Sequence, residues 1–384
     1  MTPMPRILLA AVLTMVCGIA WAKDYSRYHV VETTALDMMA GPANTAALLS
    51  PDGGELLQVG SEVCVHALTD QHTLSKVGCT PNMPNLALRS PLEDLLWSPR
   101  GDRLVMPSFG AALLAFHDTD IRLLDPRTQT ITNLTDDGLD DSLFDNRTPL
   151  SLDIAARWVD EDTLAFLRYP VPKGGAGKGG PPSLMTIAAA GGAPKELLKI
   201  AGADKLAVYA LAVSADGRRI AYSHEAKDKP DVAGIYLLDI DKPAPRRVAA
   251  MSAVGQPPAG LAFSADGSFL LLVTPGNPGL DARVLELETG KVIPVDATRN
   301  ISGVAWSPTG SALAYVTDDR EKAGAPGGLF LADRPGEPGR QLLKQSLMSP
   351  VCCWRLPFTW AANDTMVLGN IEKMDAPLFV RLGE

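Results

Sequence analysis

Two short segments of the chain carry side chains that could perform acid–base or metal chemistry. His117 is followed closely by Asp118 and Asp120, and His224 is followed by Glu225. Imidazole and carboxylate groups are common ligands of catalytic zinc and common general acids and bases, so convergence of the two segments would create a metal or acid–base site. The spacing does not require that they meet, and the alternative is that both are polar surface loops.

An acidic run offers a second possible ligand set. Its members lie within ten residues and are Asp136, Asp137, Asp140, Asp141 and Asp145. Hard oxygen ligands at this density could hold Ca²⁺, although their spacing does not match an EF-hand loop. The alternative is a solvated acidic link. No other cofactor is predicted.

Four cysteines in two pairs suggest disulfide chemistry. Cys64 and Cys79 fall on neighbouring predicted strands joined by a short turn, which places them opposite each other for a cross-strand disulfide. The adjacent Cys352 and Cys353 precede Trp354, and together they could form a rigid vicinal disulfide beside a ligand cleft. For each pair the alternative is two buried free thiols.

These residues are positioned by a five-residue phrase that recurs seven times. Its copies begin 43 to 61 residues apart, at Leu49–Gly53, Trp97–Gly101, Trp158–Asp162, Val213–Gly217, Phe263–Gly267, Trp306–Gly310 and Trp360–Asp364. Pro or Ala sets up a tight turn, Asp-Gly or its equivalent supplies a left-handed corner, and alternating apolar residues follow. A hairpin repeated at this period predicts a β-propeller.

Each repeat also contains signals for four strands. The seventh repeat ends on its third strand, Pro377–Leu382, and Tyr28–Thr33 is predicted to supply the missing outer strand and close the ring. The sequence therefore predicts an all-β, seven-bladed propeller of four-stranded antiparallel blades. Six blades plus an extra hairpin is the alternative, because the third and seventh copies lack Pro-Asp-Gly.

This plan divides the molecule into two faces. The repeated turns lie on one, the turn face. The other, the loop face, carries the links between blades and the loops between second and third strands, and all the candidate histidine, acidic and vicinal-cysteine segments map to it. A glycine-rich stretch on the loop face, Lys173–Pro182, is either a mobile lid or docking arm or a disordered insertion, and it lacks the Gly-Lys-Ser/Thr ending of a phosphate loop.

The repeats resemble the TolB-type propeller, whose blades carry a Trp-Ser-Pro-Asp-Gly turn followed by an Ile-Tyr-like third strand. Trp306–Gly310 and Gly234–Asp239 are matching examples, and the resemblance extends from about Ala43 to Leu382. Similar blades form the propeller of the prolyl oligopeptidase family, but the Gly-x-Ser-x-Gly elbow of its hydrolase half does not occur here. The resemblance implies a fold and a habit of binding proteins or peptides, not a reaction.

The start of the chain reads as a secretory signal. Arg6 precedes the apolar run Ile7–Ile19, and Ala20-Trp21-Ala22 offers small residues for cleavage, so residues 1–22 are predicted to be removed and 23–384 to form one propeller domain. An uncleaved membrane anchor is the alternative. The formal net charge of −9 argues against nucleic acid or an anionic membrane as the main partner.

The expected function is that of an exported, non-catalytic propeller, periplasmic or secreted, that binds a protein or peptide partner on the loop face. The acidic run would favour a basic partner. One alternative is a metal-dependent propeller enzyme of the lactonase or lyase type. The other is a structural role in an envelope complex without a small ligand.

Overall fold

The computed structural model describes most of the chain beyond residue 22. The described ranges are 23–36, 46–59, 63–69, 73–80, 96–106, 119–138, 151–171, 180–201, 210–226, 229–276, 279–318, 327–345, 347–348, 358–370 and 376–384. Within them the helical elements are a 3-10 turn at Tyr25–Arg27 and one short helix, α1 (Met251–Val254). No helix in this part of the chain is long and apolar enough to span a bilayer.

The strands fall into seven groups along the described chain, preceded by β1 (His29–Ala35). Group one is β2 (Ala46–Leu49), β3 (Glu55–Val59), β4 (Val63–Leu68) and β5 (Leu74–Cys79). Group two is β6 (Leu96–Trp97), β7 (Leu104–Met106), β8 (Arg122–Asp125) and β9 (Thr130–Asn133). Group three is β10 (Ser151–Trp158), β11 (Thr163–Pro170), β12 (Ser183–Ala188) and β13 (Lys195–Lys199).

The second half of the chain repeats this pattern. Group four is β14 (Leu211–Val213), β15 (Arg219–His224), β16 (Gly234–Asp239) and β17 (Lys242–Ala250). Group five is β18 (Gly260–Phe263), β19 (Phe269–Pro275), β20 (Leu280–Glu286) and β21 (Val292–Pro294). Group six is β22 (Ile301–Trp306), β23 (Leu313–Thr317), β24 (Gly328–Ala332) and β25 (Arg340–Lys344). Group seven is β26 (Leu347–Met348), β27 (Thr365–Asn370) and β28 (Leu378–Gly383).

Strands within a group pair antiparallel in chain order, which gives a series of four-stranded sheets. Groups five and six are also joined by one residue pair, Leu280 with Ile301. The fourth strand of group seven is β1, which pairs antiparallel with β28 from His29 opposite Gly383 to Ala35 opposite Leu378. The predicted N-terminal clasp is therefore present, one residue later at its start and two residues longer at its end.

The repeated turns adopt the left-handed corner that the sequence predicts, with one exception. Positive φ angles occur at Gly53 (80°), Gly101 (71°), Gly217 (70°), Gly267 (68°), Gly310 (72°) and Asp364 (61°). The prediction is wrong for the third copy, where neither Glu161 nor Asp162 has a positive φ. There the N–H of Asp162 bonds to the Asp160 carboxylate at 2.8 Å, and the N–H of Val159 bonds to the carbonyl of Thr163 at 2.8 Å.

The serine of the repeated phrase explains why Ser-x-Asp recurs. The Ser264 hydroxyl donates to Asp266 Oδ1 at 2.6 Å and accepts the N–H of Phe269 at 3.0 Å, which ties the turn to the strand that follows. Ser50 and Ser214 make the same two kinds of bond in their own turns. The hydroxyl thus satisfies a backbone donor at the place where strand pairing begins.

Consecutive turns contact each other around the turn face. The residues that face each other are Gly101 and Pro51, Arg100 and Glu161, Gly217 and Val159, Gly267 and Arg219, Gly310 and Asp266, and Ala362 and Pro51. Between the sixth and seventh turns the connection is made by Lys23, whose backbone N–H donates to Thr309 Oγ1 at 3.2 Å and whose Nζ lies 2.6 Å from Asp364 Oδ2.

The hydrophobic core lies between neighbouring groups rather than inside each group. One cluster packs Leu48, Leu57 and Val65 of group one against Leu104 and Met106 of group two. Another packs Leu49 and Leu56 of group one against Val367 and Phe379 of group seven, which joins the last group to the first. Burial of these apolar faces is what fixes each sheet against its neighbours.

Candidate binding face

Several predicted loop-face residues lie outside the described residues. They are His117, Asp118, Asp140, Asp141, Asp145, Cys352, Cys353, Trp354 and most of the glycine-rich stretch, residues 173–179. Asp120, Asp136, Asp137, His224 and Glu225 are described. Two of these five, Asp120 and His224, are almost fully buried.

Asp120 belongs to a buried cluster between groups two and three, which we call the aspartate–arginine cluster: Thr119, Asp120, Thr135, Asp153 and Arg168. Asp153 lies near the start of β10 and is 1% exposed, and Asp120 is 3% exposed. Arg168, near the end of β11, donates from Nε to Asp153 Oδ1 at 2.8 Å and from Nη2 to Oδ2 at 2.6 Å. This is a bidentate pair with both carboxylate oxygens occupied.

The second carboxylate of the cluster has different partners. Asp120 accepts Nδ2 of Asn133 at 2.6 Å and the hydroxyl of Thr135 at 3.1 Å. The carbonyl of Thr119 accepts the N–H of Asp153 at 2.8 Å, so the segment before β8 is hydrogen-bonded to the first strand of group three. The hydroxyl of Thr119 is buried and has no hydrogen-bond partner among the described residues.

The cluster carries more negative than positive charge. Burial raises the pKa of Asp153 in spite of the bonds from Arg168, and the nearby charge of Asp120 raises it further. The pKa of Arg168 is raised by its hydrogen bond to Asp153 and by the charges of Asp153, Asp120 and Asp137, against the effect of burial. The described part of the acidic run thus acts electrostatically on the arginine.

The structure describes two residues of the acidic run, Asp136 and Asp137, so the calcium site stays a prediction. Asp136 Oδ1 accepts the N–H of Gly138 at 2.8 Å, which is a local turn bond. No three His, Cys, Asp or Glu side chains in the described ranges are grouped so that they could hold a metal ion. Asp120, His224 and Glu225 are therefore not assembled as a set of three metal ligands.

His224 is not the surface loop residue that the sequence suggested. β15 continues through His224, which is 3% exposed and pairs in register with Gly234. Its ring lies 5.8 Å from that of Tyr236, which stacks on Tyr222 at 5.4 Å. The predicted loop position of His224 is wrong because β15 extends to the loop face and buries the histidine at that end of group four.

Sequence reasoning missed a cleft on the loop face of group five. It has a volume of about 460 Å³, and its apolar lining includes Leu280, Val292, Pro294 and Ile301. Arg283 lies in the wall and is bound to Asp281 through Nε at 2.9 Å and Nη2 at 2.8 Å. The spacing of Asp281 and Arg283 places both on one side of β20, but the same spacing is common in exposed strand pairs, so it marks no cleft.

The predicted disulfide is present. Cys64 and Cys79 are directly opposed in the pairing of β4 with β5 and are bonded at 2.02 Å. Both lie at the loop-face end of group one, because Cys64 is the second residue of the third strand and Cys79 ends the fourth.

No protein-family model and no curated protein matches the chain. Solved structures do match. The oligogalacturonate lyase of Vibrio parahaemolyticus has a TM-score of 0.55 at 13% identity, covering 92% of this chain and 97% of that one. An oligogalacturonate lyase in complex with manganese has a TM-score of 0.53 at 13% identity, with coverages of 93% and 98%. Puromycin hydrolase has a TM-score of 0.53 at 14% identity, with coverages of 88% and 54%.

TolB structures are also among the matches. TolB of Acinetobacter baumannii has a TM-score of 0.42 at 10% identity, covering 88% of this chain and 78% of that one. At such identities the likenesses define a fold and not a site. The structures that match with TM-scores above 0.5 support an all-β propeller fold, and the predicted resemblance is confirmed at the level of the fold alone.

Proposed function

We propose that the chain is an exported, seven-bladed propeller that binds a protein or peptide partner on its loop face without catalysing a reaction. The seven strand groups and the core that joins group seven to group one support this blade count. The predicted signal in residues 1–22 and the disulfide between Cys64 and Cys79 support export to a periplasm or out of the cell.

The observation that carries the proposal is the aspartate–arginine cluster. Two almost fully buried carboxylates lie in this joint with one arginine, which pairs with Asp153, and burying such charges is costly even when they are paired. An apolar cluster that includes Val105, Phe166 and Met185 already holds groups two and three together, so packing alone does not require charges in this joint. Arg168 is the accessible member of the pair, with a side chain 28% exposed, and rigidly held charged groups are typical of recognition sites.

The charge of the cluster favours a basic partner. Asp120, Asp153 and the nearby Asp137 outnumber Arg168, and the exposed Asp136 precedes Asp137 in the sequence. The whole chain is also acidic, with a formal net charge of −9, so long-range attraction acts in the same direction.

Binding of peptides of defined charge tests this proposal. We expect immobilised Arg- and Lys-rich peptides to bind the purified chain, with affinity that falls as salt rises, and Glu-rich peptides not to bind. The variant Asp136→Asn/Asp137→Asn should lose most of this binding. Glu161→Gln/Asp162→Asn, which makes the same change in charge on the turn face, should retain it. Equal loss in both variants would show non-specific attraction and contradict the proposal.

The alternative remains a metal-dependent enzyme, and one structural neighbour is an oligogalacturonate lyase in complex with manganese. Its ligands here would have to include His117, Asp118 or members of the acidic run that lie outside the described residues. Cleavage of oligogalacturonate with added Mn²⁺, abolished by His117→Ala, would favour the enzyme. Calorimetric titration with Ca²⁺ tests the acidic run as a calcium site, and Asp140→Asn/Asp141→Asn should remove any binding there.

A further inference from the structure

The joint between groups six and seven differs from other joints that contain a tryptophan of the repeated phrase. Trp97 Nε1 donates to the carbonyl of Leu48 at 3.3 Å, Trp158 Nε1 to Leu96 at 3.5 Å, and Trp306 Nε1 to Ala262 at 2.9 Å. Each bond ties one group to the preceding group. The equivalent Trp360 is 5% exposed, and its Nε1 is buried without a hydrogen-bond partner among the described residues.

The N-terminal segment fills the space at this joint. The Lys23 Nζ lies 2.6 Å from Asp364 Oδ2, in a pair whose side chains are 35% and 11% exposed. The backbone N–H of Lys23 donates to Thr309 Oγ1 at 3.2 Å. Lysine is thus held by the sixth turn through its backbone and by the seventh turn through its side chain.

Tyr25 is the deepest residue of the segment. It is 2% exposed, and its ring lies 4.8 Å from that of Trp360 in an edge-on arrangement. Its hydroxyl donates to Asp364 Oδ1 at 3.3 Å, and its carbonyl accepts Nη2 of Arg340 at 2.6 Å. Four residues of groups six and seven, Thr309, Arg340, Trp360 and Asp364, therefore recognise the side chains and the backbone of one short peptide. We call them the N-terminal pocket.

The bound segment has its own local shape. Asp24 Oδ1 accepts the N–H of Ser26 at 3.1 Å, and the N–H of Tyr28 bonds to the carbonyl of Tyr25 at 3.0 Å, which closes the 3-10 turn. The turn precedes β1, and the pairing of β1 with β28 starts only at His29. The segment can therefore leave the pocket without breaking the strand pairing of the clasp.

We infer that the N-terminal pocket is a peptide-binding site for a Lys-x-Tyr segment, and that Lys23–Tyr25 is its resident ligand. The site combines a carboxylate for the ammonium, a hydroxyl and a guanidinium for the backbone, and an indole ring for edge-on contact with the tyrosine ring. A second peptide with a cation two residues before a tyrosine has the same chemistry and competes with the chain's own segment. The inference does not rest on the proposed function, because the pocket lies on the turn face and the partner on the loop face.

The inference can be tested by removing the two side chains that occupy the pocket while keeping the rest of the chain unchanged. We expect Lys23→Ala/Tyr25→Ala to bind a labelled peptide of sequence Lys-Asp-Tyr-Ser-Arg-Tyr with a saturable isotherm. The unaltered chain should bind it much more weakly, because its own segment occupies the site. Adding Asp364→Asn to the vacated variant should weaken peptide binding about tenfold, by loss of the ion pair. The peptide Ala-Asp-Ala-Ser-Arg-Tyr is the control and should not bind.

Two outcomes would overturn the inference. One is a folded Lys23→Ala/Tyr25→Ala variant that binds neither peptide, and the other is equal binding of both peptides. If the double variant does not fold, the single variant Lys23→Ala keeps Tyr25 in place and serves instead. It should admit the labelled peptide more readily than the unaltered chain does, and identical binding by the two would contradict the inference.

Discussion

The turn face and the loop face satisfy their polar groups in different ways. On the turn face, a short repeated phrase makes nearly the same bonds in several groups, as the hydroxyls of Ser50, Ser214 and Ser264 show. On the loop face, the described links differ from joint to joint: an aspartate–arginine cluster lies in one, and a cleft in another. The comparison indicates that the repeat fixes one face of the propeller and leaves the other free to vary with function.

The difference between the two faces is tested most strongly by removing one charged side chain from each and comparing the loss of stability. Arg168→Ala would leave Asp153, 1% exposed, without the partner of its carboxylate, and we expect a loss of about 3 kcal/mol in the free energy of unfolding. Arg100→Ala removes an exposed guanidinium from its pair with Glu161 on the turn face and should change stability little. Urea unfolding of both variants measures the difference.

A control separates the buried charge from simple loss of packing. Asp153→Leu/Arg168→Met replaces the pair by apolar side chains of similar size and should recover most of the stability lost in Arg168→Ala. If the double variant is as unstable as the single one, the cluster stabilises the joint by packing. The aspartate–arginine cluster would then no longer support a recognition site.

The next effect concerns the loop-face end of group one. Cys64→Ser removes a bond that closes a loop with a sequence separation of 15 residues, and we expect a loss of about 2–4 kcal/mol under oxidising conditions. The melting temperature should fall accordingly. The unaltered chain should show the same fall after reduction, whereas Cys64→Ser should be insensitive to reductant. An unchanged melting curve would count against the disulfide.

The sequence predicted the turn face well because its structure is local. Ser-x-Asp-Gly encodes a turn within a few residues. The pairing of Cys64 with Cys79 on the loop face was predictable for the same reason, because it follows from counting alternate residues along two adjacent strands. The N-terminal clasp was predicted because the seventh repeat lacks an outer strand of its own. The third turn was mispredicted because an aspartate N-terminal to the corner, Asp160, organises it without a left-handed residue.

The loop-face cluster could not be predicted because its members come from distant positions. Asp120 and Asp153 meet only when groups two and three pack, and Arg168 joins them from the far end of the next strand. One signal was available. Asp153 occupies the same phase of β10 as the buried Ala155, so a charged residue stands where the alternation demands an apolar one. A polar residue in the buried phase of an inner strand marks such a site.

The contact between neighbouring turns can be tested with a pair of glycines. Gly217 and Gly191 both have positive φ angles, 70° and 91°, but a side chain at Gly217 would clash with the carbonyl oxygen of Val159, whereas nothing lies within 4 Å at Gly191. Gly191→Ala should therefore cost only the conformational strain, about 1–2 kcal/mol, and Gly217→Ala should cost more. Equal losses would mean that the third and fourth turns do not depend on their contact.

The smallest expected effect is a difference in pH dependence between carboxylates of the two faces. Burial would raise the pKa of Asp216 on the turn face, but hydrogen bonds from the Ser214 hydroxyl and the Arg218 N–H outweigh it and lower the pKa. Its contribution to stability is therefore present above the unfolded value of about 4 and is lost as pH falls through the lowered folded value. Asp153 has a raised pKa, so its titration acts in the opposite sense.

Melting curves of Asp216→Asn and Asp153→Asn, taken from neutral to acidic pH, distinguish these directions. The deficit of Asp216→Asn relative to the unaltered chain should shrink on acidification, because the native carboxylate loses its advantage once protonated. The deficit of Asp153→Asn should grow, since protonation of the native Asp153 stabilises the folded chain, fully so below about pH 4, and this stabilisation is lost as pH rises through the raised folded pKa. If both deficits shrink together, Asp153 titrates like a turn-face aspartate, and the bonds from Arg168 outweigh its burial.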